Sequence, residues 1–154
     1  ASAPRLTIIL PTGSYHSGLG SGALGVQTVI PVSVQLSRHW VTHWNAGLTH
    51  VNTAREPNGA HAAVTDYLLG GSLIWLAAQR VNLLLETEWA SVETPAGNHA
   101  TTRGEELLLS PRVRWSSDFA NGLQIVPGLA EPIGVGPSRG EHSVFAYLSF
   151  EHPF

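Results

Sequence analysis

Eight runs rich in Val, Ile, Leu, Trp and Thr, at about 4–11, 23–37, 40–52, 66–77, 81–92, 105–117, 122–134 and 142–154, are set apart by connections that alternate between long and short. Runs punctuated by Gly and Pro read as strands, and hardly any stretch repeats apolar residues at helical spacing. The first connection, TGSYHSGLGSG, is long and the next, SRH, is tight. TAREPNGAHAAV and ETPAGNHATTRG are long, AQR and SDFAN are short, and GVGPSRGE is intermediate. Long loops on one side and short turns on the other are the rhythm of an up-and-down antiparallel transmembrane β-barrel. The expectation is one domain over 1–154, most simply of eight strands, with both termini periplasmic and the longer connections outside.

Period two sorts the runs into faces. In 81–92, Val81, Leu83, Leu85 and Trp89 share one face, and Asn82, Glu86 and Glu88 share the other with Leu84. In 105–117, Leu107, Leu109, Val113 and Trp115 oppose Ser110, Arg112, Arg114, Ser116 and, just beyond, Asp118. Leu24, Val26, Ile30, Val32, Val34 and Leu36 oppose Gln27, Ser33, Gln35 and Ser37, and Trp40, Trp44, Ala46 and Leu48 oppose His43, Asn45 and Thr49. The first, fourth and seventh runs are apolar on both sides, so periodicity does not orient them.

Two architectures share such a pattern: a soluble lipocalin-like ligand binder with the apolar face inward, and a membrane barrel with that face towards lipid. Composition separates them. Charged residues are 12 % of the chain, about half the ~25 % of an ordinary soluble domain. All eight basic residues are Arg. The polar face, mostly Ser, Thr, Asn and Gln, is poor water-facing chemistry but a good lumen lining. Trp40, Trp44, Trp89, Trp115, Phe150 and Phe154 lie on the apolar face, several near run ends where interfacial aromatic girdles sit. The longest weakly polar run, 68–78, is far short of the ~20 residues of a spanning helix. The net charge of −3 leaves no basic footprint for nucleic acid. Cysteine is absent, which excludes disulfides and thiolate metal sites. Pro31, Pro111, Pro127 and Pro132 fall inside runs and predict bulges or breaks.

The candidate functional group is polar and faces the lumen: Glu86 and Glu88 beside Arg112 and Arg114, with His43 and Asn45. Such a cluster could plug the barrel or select a solute, and charges in a narrow lumen must in any case be paired. No cofactor is implied. Eight His suggest metal, but His39 and His43 are about 13 Å apart along a strand. His16, His61, His99 and His142 lie in separate predicted outer loops and meet only if those loops fold together, so no metal site is expected. A lipid hydrolase with a rim Ser/His/acid set has the residue types in Glu141, His142 and Ser143, but neighbours on a strand point to opposite faces. Residues 18–22, GLGSG, lack the Lys and helix of a phosphate loop.

The stretches LPTGSYHSGLGSGALGVQ, IPVSVQLSRHWVTHWNAGLT, GLQIVPGLAEPIGVGPSRGE and VFAYLSFEHPF resemble a family of bacterial outer-membrane β-barrels labelled as transporters or as proteins of the phenol-degradation meta pathway. The resemblance covers nearly all of the chain. It implies an outer-membrane location in a Gram-negative cell, uptake of small hydrophobic or aromatic compounds, and no catalytic residues. Members of that family have further strands before the position matching PRLTIILPTG, so this chain reads as a C-terminal portion or a short relative. It begins ASAPR, without Met, as a processed or truncated chain would. The last run puts Val144, Ala146, Leu148, Phe150 and Phe154 on the lipid side, with Ser149 and Glu151 inward. A terminal aromatic on such a strand resembles the signal read by the barrel-assembly machinery. The expected partners are therefore that machinery and the lipid bilayer.

Overall fold

The computed structural model of the chain describes residues 1–152. Period-two patterning has produced an all-β molecule. Its ten strands are β1 (Arg5–Ile9), β2 (Gly25–Gln35), β3 (Trp40–Arg55), β4 (His61–Ala78), β5 (Val81–Pro95), β6 (Thr101–Trp115), β7 (Ser117–Asp118), β8 (Gln124–Ala130), β9 (Ile133–Gly134) and β10 (Phe145–Glu151). They form one antiparallel up-and-down sheet in the order β1-β2-β3-β4-β5-β6-β8-β10. The two-residue strands β7 and β9 pair with β8 and β6. Eight strands thus form the path, as the eight runs suggest, but the sheet is open: among the described residues no pairing joins β1 to β10.

Several strands outrun the sequence pattern. β3, β4, β5 and β6 hold 16, 18, 15 and 15 residues. Polar ends such as Asn52–Arg55 and Thr101–Glu105 continue the ladder, because backbone pairing does not need an apolar side chain. The third and fifth connections therefore shrink to residues 56–60 and 96–100. The first, residues 10–24, stays long and holds a 3-10 turn at Tyr15–Ser17.

β2 and β8 run through Pro31 and Pro127, but pairing on one side breaks at each: the β1–β2 ladder stops at Val29 and returns only in the Ser2–Val32 bridge, and β8 passes from β6 at Gly128 to β7 at Ile125. Pro111 lies between two patches of β6, Arg112–Arg114 on β8 and Leu108–Leu109 on β9, and Pro132 occupies the gap between β8 and β9. There the missing N–H coincides with a change of partner.

The chain divides into two compact units. The first comprises residues 1–32, 45–69 and 89–106, and includes all of β1. Its core is small, Val51, Ala54 and Val64 with Ile9 and Ala23 packed on it, while Leu6, Ile8, Val26, Ile30, Tyr67 and Leu69 are exposed. The second comprises residues 33–44, 70–88 and 107–154, and includes β10. Ile74 and Ala130 are buried there, whereas Trp40, Trp44, Leu73, Trp75, Leu85, Trp115, Leu148 and Phe150 are exposed. The structure orients the fourth run: Tyr67, Leu69, Leu73 and Trp75 lie open, and Ala62, Val64 and Ile74 are covered. Among the described residues no large side chain is fully buried.

Two aromatic contacts fix local register in the second unit. Tyr147 is opposite Gly128 and its ring fills the place a Cβ at 128 would take. Trp44 lies over Gly71 in the same manner, 3.1 Å from a Cβ position. An aromatic ring laid over a glycine shields backbone that has no side chain of its own. Trp44 and Trp75 thus both belong to an aromatic surface that includes Trp40, whose ring stacks on Trp75 with centroids 6.0 Å apart.

Candidate functional site

In the second unit the alternation of β5 and β6 brings the expected polar residues together. Arg112 makes an ion pair with Glu86. Asn82, with its amide oxygen turned to the guanidinium, accepts from Arg114 Nε at 3.1 Å and Nη2 at 3.3 Å. Glu88 is exposed and has no side-chain partner among the described residues, so the sequence pair of glutamates divides into one bound and one free. His43 hydrogen-bonds Ser33 on β2 at 2.7 Å. Asn45, in the first unit, is exposed and has no side-chain partner among the described residues.

This group is not saturated. Ser110 Oγ and Arg112 Nε are buried without a hydrogen-bond partner. A buried donor left unmade costs about 1–3 kcal/mol, so both atoms retain capacity for water or a polar solute. In the same unit, Gln79, Arg80, Asn82, Arg114, Gln124 and Glu151 line a cavity of about 290 Å³. Asp118 at its edge pairs with Arg80 at 3.4 Å and accepts from Gln124 at 2.6 Å.

The first unit holds a second polar group that the runs did not reveal. Thr65 N–H donates to a Glu93 carboxylate oxygen at 2.7 Å, and Glu93 N–H donates to Asp66 at 2.9 Å. Carboxylates here replace backbone carbonyls between β4 and β5. Arg103 on β6 ties them together: it donates to Ser91 Oγ at 2.7 Å and to Thr65 O at 3.1 Å, and pairs with Glu93 at 2.8 Å. Its guanidinium lies 5.4 Å from the Tyr67 ring centroid, and His50 hydrogen-bonds Thr65 Oγ1 at 2.9 Å. The run boundaries hid these residues by leaving Thr65, Glu93 and Arg103 outside the runs. Their signal was scarcity: in so weakly charged a chain, an acid and a base near strand ends need partners.

The girdle aromatics sort clearly. Trp40, Trp44, Trp115 and Phe150 are exposed, and Trp89 is half-buried. Trp75 joins them, unforeseen because its run was apolar on both faces. Phe154 lies outside the described residues. The Glu141, His142 and Ser143 group is not assembled as a triad. His142 Nε2 meets Glu131 at 2.7 Å, and the Ser143 N–H donates to Pro132 O. No group of three or more His, Asp or Glu able to hold a metal ion occurs among the described residues. No helix is long and apolar enough to cross a membrane, which says nothing about a β-barrel. No family of known proteins, no curated protein and no solved structure matches this chain.

Proposed function

We propose that the chain is a non-catalytic outer-membrane β-barrel, structural or transporter-like, with its apolar face in lipid and its polar face lining the lumen. The observation that carries this reading is the exposure of Trp44, Leu85, Leu148 and Phe150 in the second unit while Ser33–His43, Glu86–Arg112 and Asn82–Arg114 pair with one another, and of Leu69 in the first unit while Gln27 pairs with Thr49. Apolar area kept in water costs roughly 25 cal/mol per Å²; lipid removes that cost. A soluble lipocalin-like binder would turn these side chains inward, against their exposure.

Strand length supports the same reading. A tilted strand of about 9–11 residues crosses the hydrocarbon layer, and β3 to β6 exceed that. In lipid every backbone group must be paired, so the free edges of β1 and β10 close in the membrane-embedded form. Closure joins them to each other or to further strands of a longer barrel. The exposed edge of β10 is the surface offered to the barrel-assembly machinery. An eight-stranded lumen is just wide enough for side chains to fill it, and its lining here favours small polar solutes or a plugged interior over the hydrophobic compounds that the family resemblance implies.

The test is folding in detergent followed by gel electrophoresis with and without heating. The expected outcome is a compact, faster-migrating unheated band that shifts on boiling. A chain that stays monomeric and folded in plain buffer contradicts the reading. Conductance in a planar bilayer then separates an open pore from a plug.

A further inference from the structure

The polar cavity of about 290 Å³ in the second unit is lined by one charge of each sign that no opposite charge answers. Arg114, half-buried on β6, gives its Nε and one Nη2 N–H to the Asn82 amide oxygen at 3.1 and 3.3 Å. A guanidinium carries five N–H donors, so three remain, and no carboxylate pairs with it among the described residues. Glu151, exposed at the end of β10, meets Ser149 Oγ at 3.5 Å and pairs with no cation among the described residues. Arg80, the other cation of the lining, is already answered by Asp118 at 3.4 Å.

Strand register accounts for the two unanswered charges. Arg114 stands opposite Gly128 and Glu151 opposite Gln124. An even number of steps along β8 keeps both rows on one face, four residues or about 13 Å of strand apart at ~3.3 Å per residue. Both side chains reach the cavity, and the gap between their rows keeps them from pairing with each other.

We infer that this cavity binds a small linear zwitterion, of the class of ω-amino acids and dipeptides, with its carboxylate on the Arg114 guanidinium and its ammonium on the Glu151 carboxylate. The site rests on the reading of the polar face as the lumen lining and gives that lining a class of solute. Guanidinium N–H groups match a carboxylate as a two-pronged fork, and an ammonium brings three donors to a carboxylate. An unpaired charge away from bulk water is costly. A simple anion relieves Arg114 but sets like charge near Glu151, and a simple cation does the reverse. A solute bearing both charges relieves both. Gln79 and Gln124 add neutral hydrogen-bonding groups to the same wall. The volume is close to the ~300 Å³ lower end of small-molecule pockets, which suits a solute of this size.

The test titrates glycylglycine into the full chain, ¹⁵N-labelled and folded in detergent. The side-chain amide signals of Gln79 and Gln124 are followed, since both line the cavity and survive in every variant. The expected result is a saturable shift for the wild-type chain. Arg114→Gln and Glu151→Gln should each weaken binding at least about tenfold, the factor lost with one charged hydrogen bond. Glu88→Gln, outside the cavity, should leave it unchanged. Acetate and methylammonium, each with one of the two charges, should bind more weakly than glycylglycine. Glu151→Gln, at an exposed position, keeps the test decisive if Arg114→Gln does not fold. No saturable shift in the wild-type chain, undiminished binding in either charge variant, or acetate bound as tightly as glycylglycine overturns the site. The heat-dependent gel shift, run on the same samples, separates this outcome from failure of the barrel. A chain that shifts but ignores glycylglycine loses the site and keeps the barrel, whereas one that never folds in detergent loses both.

Discussion

Arg103 in the first unit and Arg112 in the second are both strand arginines paired with a glutamate of β5, yet their surroundings differ. Arg103 reaches Ser91, Thr65 O and Glu93 and lies over Tyr67. Arg112 has Glu86, while its Nε and the neighbouring Ser110 Oγ find no partner. The first arginine repairs a ladder: between β4 and β5, Thr65 and Glu93 give their N–H groups to carboxylates, and the guanidinium holds those carboxylates in place. The second leaves hydrogen-bonding capacity open. The same residue pair is therefore saturated in one unit and keeps unpaired donors in the other.

The largest expected effect comes from breaking the repaired ladder. Arg103→Ala removes three anchors at once and leaves Glu93 to hold Thr65 unaided. The unfolding temperature in detergent should fall by several degrees, more than for any other polar-face variant. Arg103→Lys should recover only part of this, because an ammonium cannot reproduce the fork that bridges Ser91 and Glu93.

Next comes the other pair. Glu86→Ala leaves Arg112 without its carboxylate and should cost about 1 kcal/mol, less than the ~1.5–3 kcal/mol of a buried charge-assisted hydrogen bond because both side chains are partly exposed. The same measurement on Glu88→Ala should show no change, since Glu88 has no side-chain partner among the described residues. Equal losses in the two variants would mean that both glutamates share the arginines, as the bare sequence suggests.

A smaller effect is expected from Arg112→Lys. It keeps the charge opposite Glu86 and deletes the Nε that has no partner, so thermal unfolding should barely move. That variant and Arg103→Lys form the sharpest contrast between the two regions, and similar losses in both would dissolve the distinction. If the proposed barrel conducts, Arg112→Lys should still alter its ion selectivity, because the lysine offers a mobile point charge where the guanidinium is fixed by Glu86.

Much of this was legible in the sequence for a physical reason: strand alternation is local. Leu83 and Leu85 against Asn82 and Glu86, or Trp40 and Trp44 against His43, follow from period two without knowledge of the partner strand. The pairing of Glu86 with Arg112 follows from adjacent strands sharing a face. What escaped depends on neighbours. The extension of β4 back to His61 rests on backbone bonds that carry no hydrophobic signal. The fourth run resisted orientation because it is apolar on both sides, Ile74 being covered while Leu69, Leu73 and Trp75 stay open. Pro31, Pro111 and Pro127 sit within strands that continue while the pairing beside them breaks or changes partner, and Pro132 falls between two strands; composition alone does not separate these cases. The edge-to-face meeting of His61 with His99 joins two loops that no local pattern connects.

In the proposed membrane form the exposed apolar face meets lipid. Trp44, on that face and 58 % exposed, is its most direct reporter. A variant with the other four tryptophans replaced by Phe, folded into vesicles, would be tested with lipids brominated along the acyl chain and with aqueous iodide. The prediction is strong quenching of Trp44 by the brominated chains and little by iodide. Quenching by iodide with none from the brominated lipid would contradict the claim.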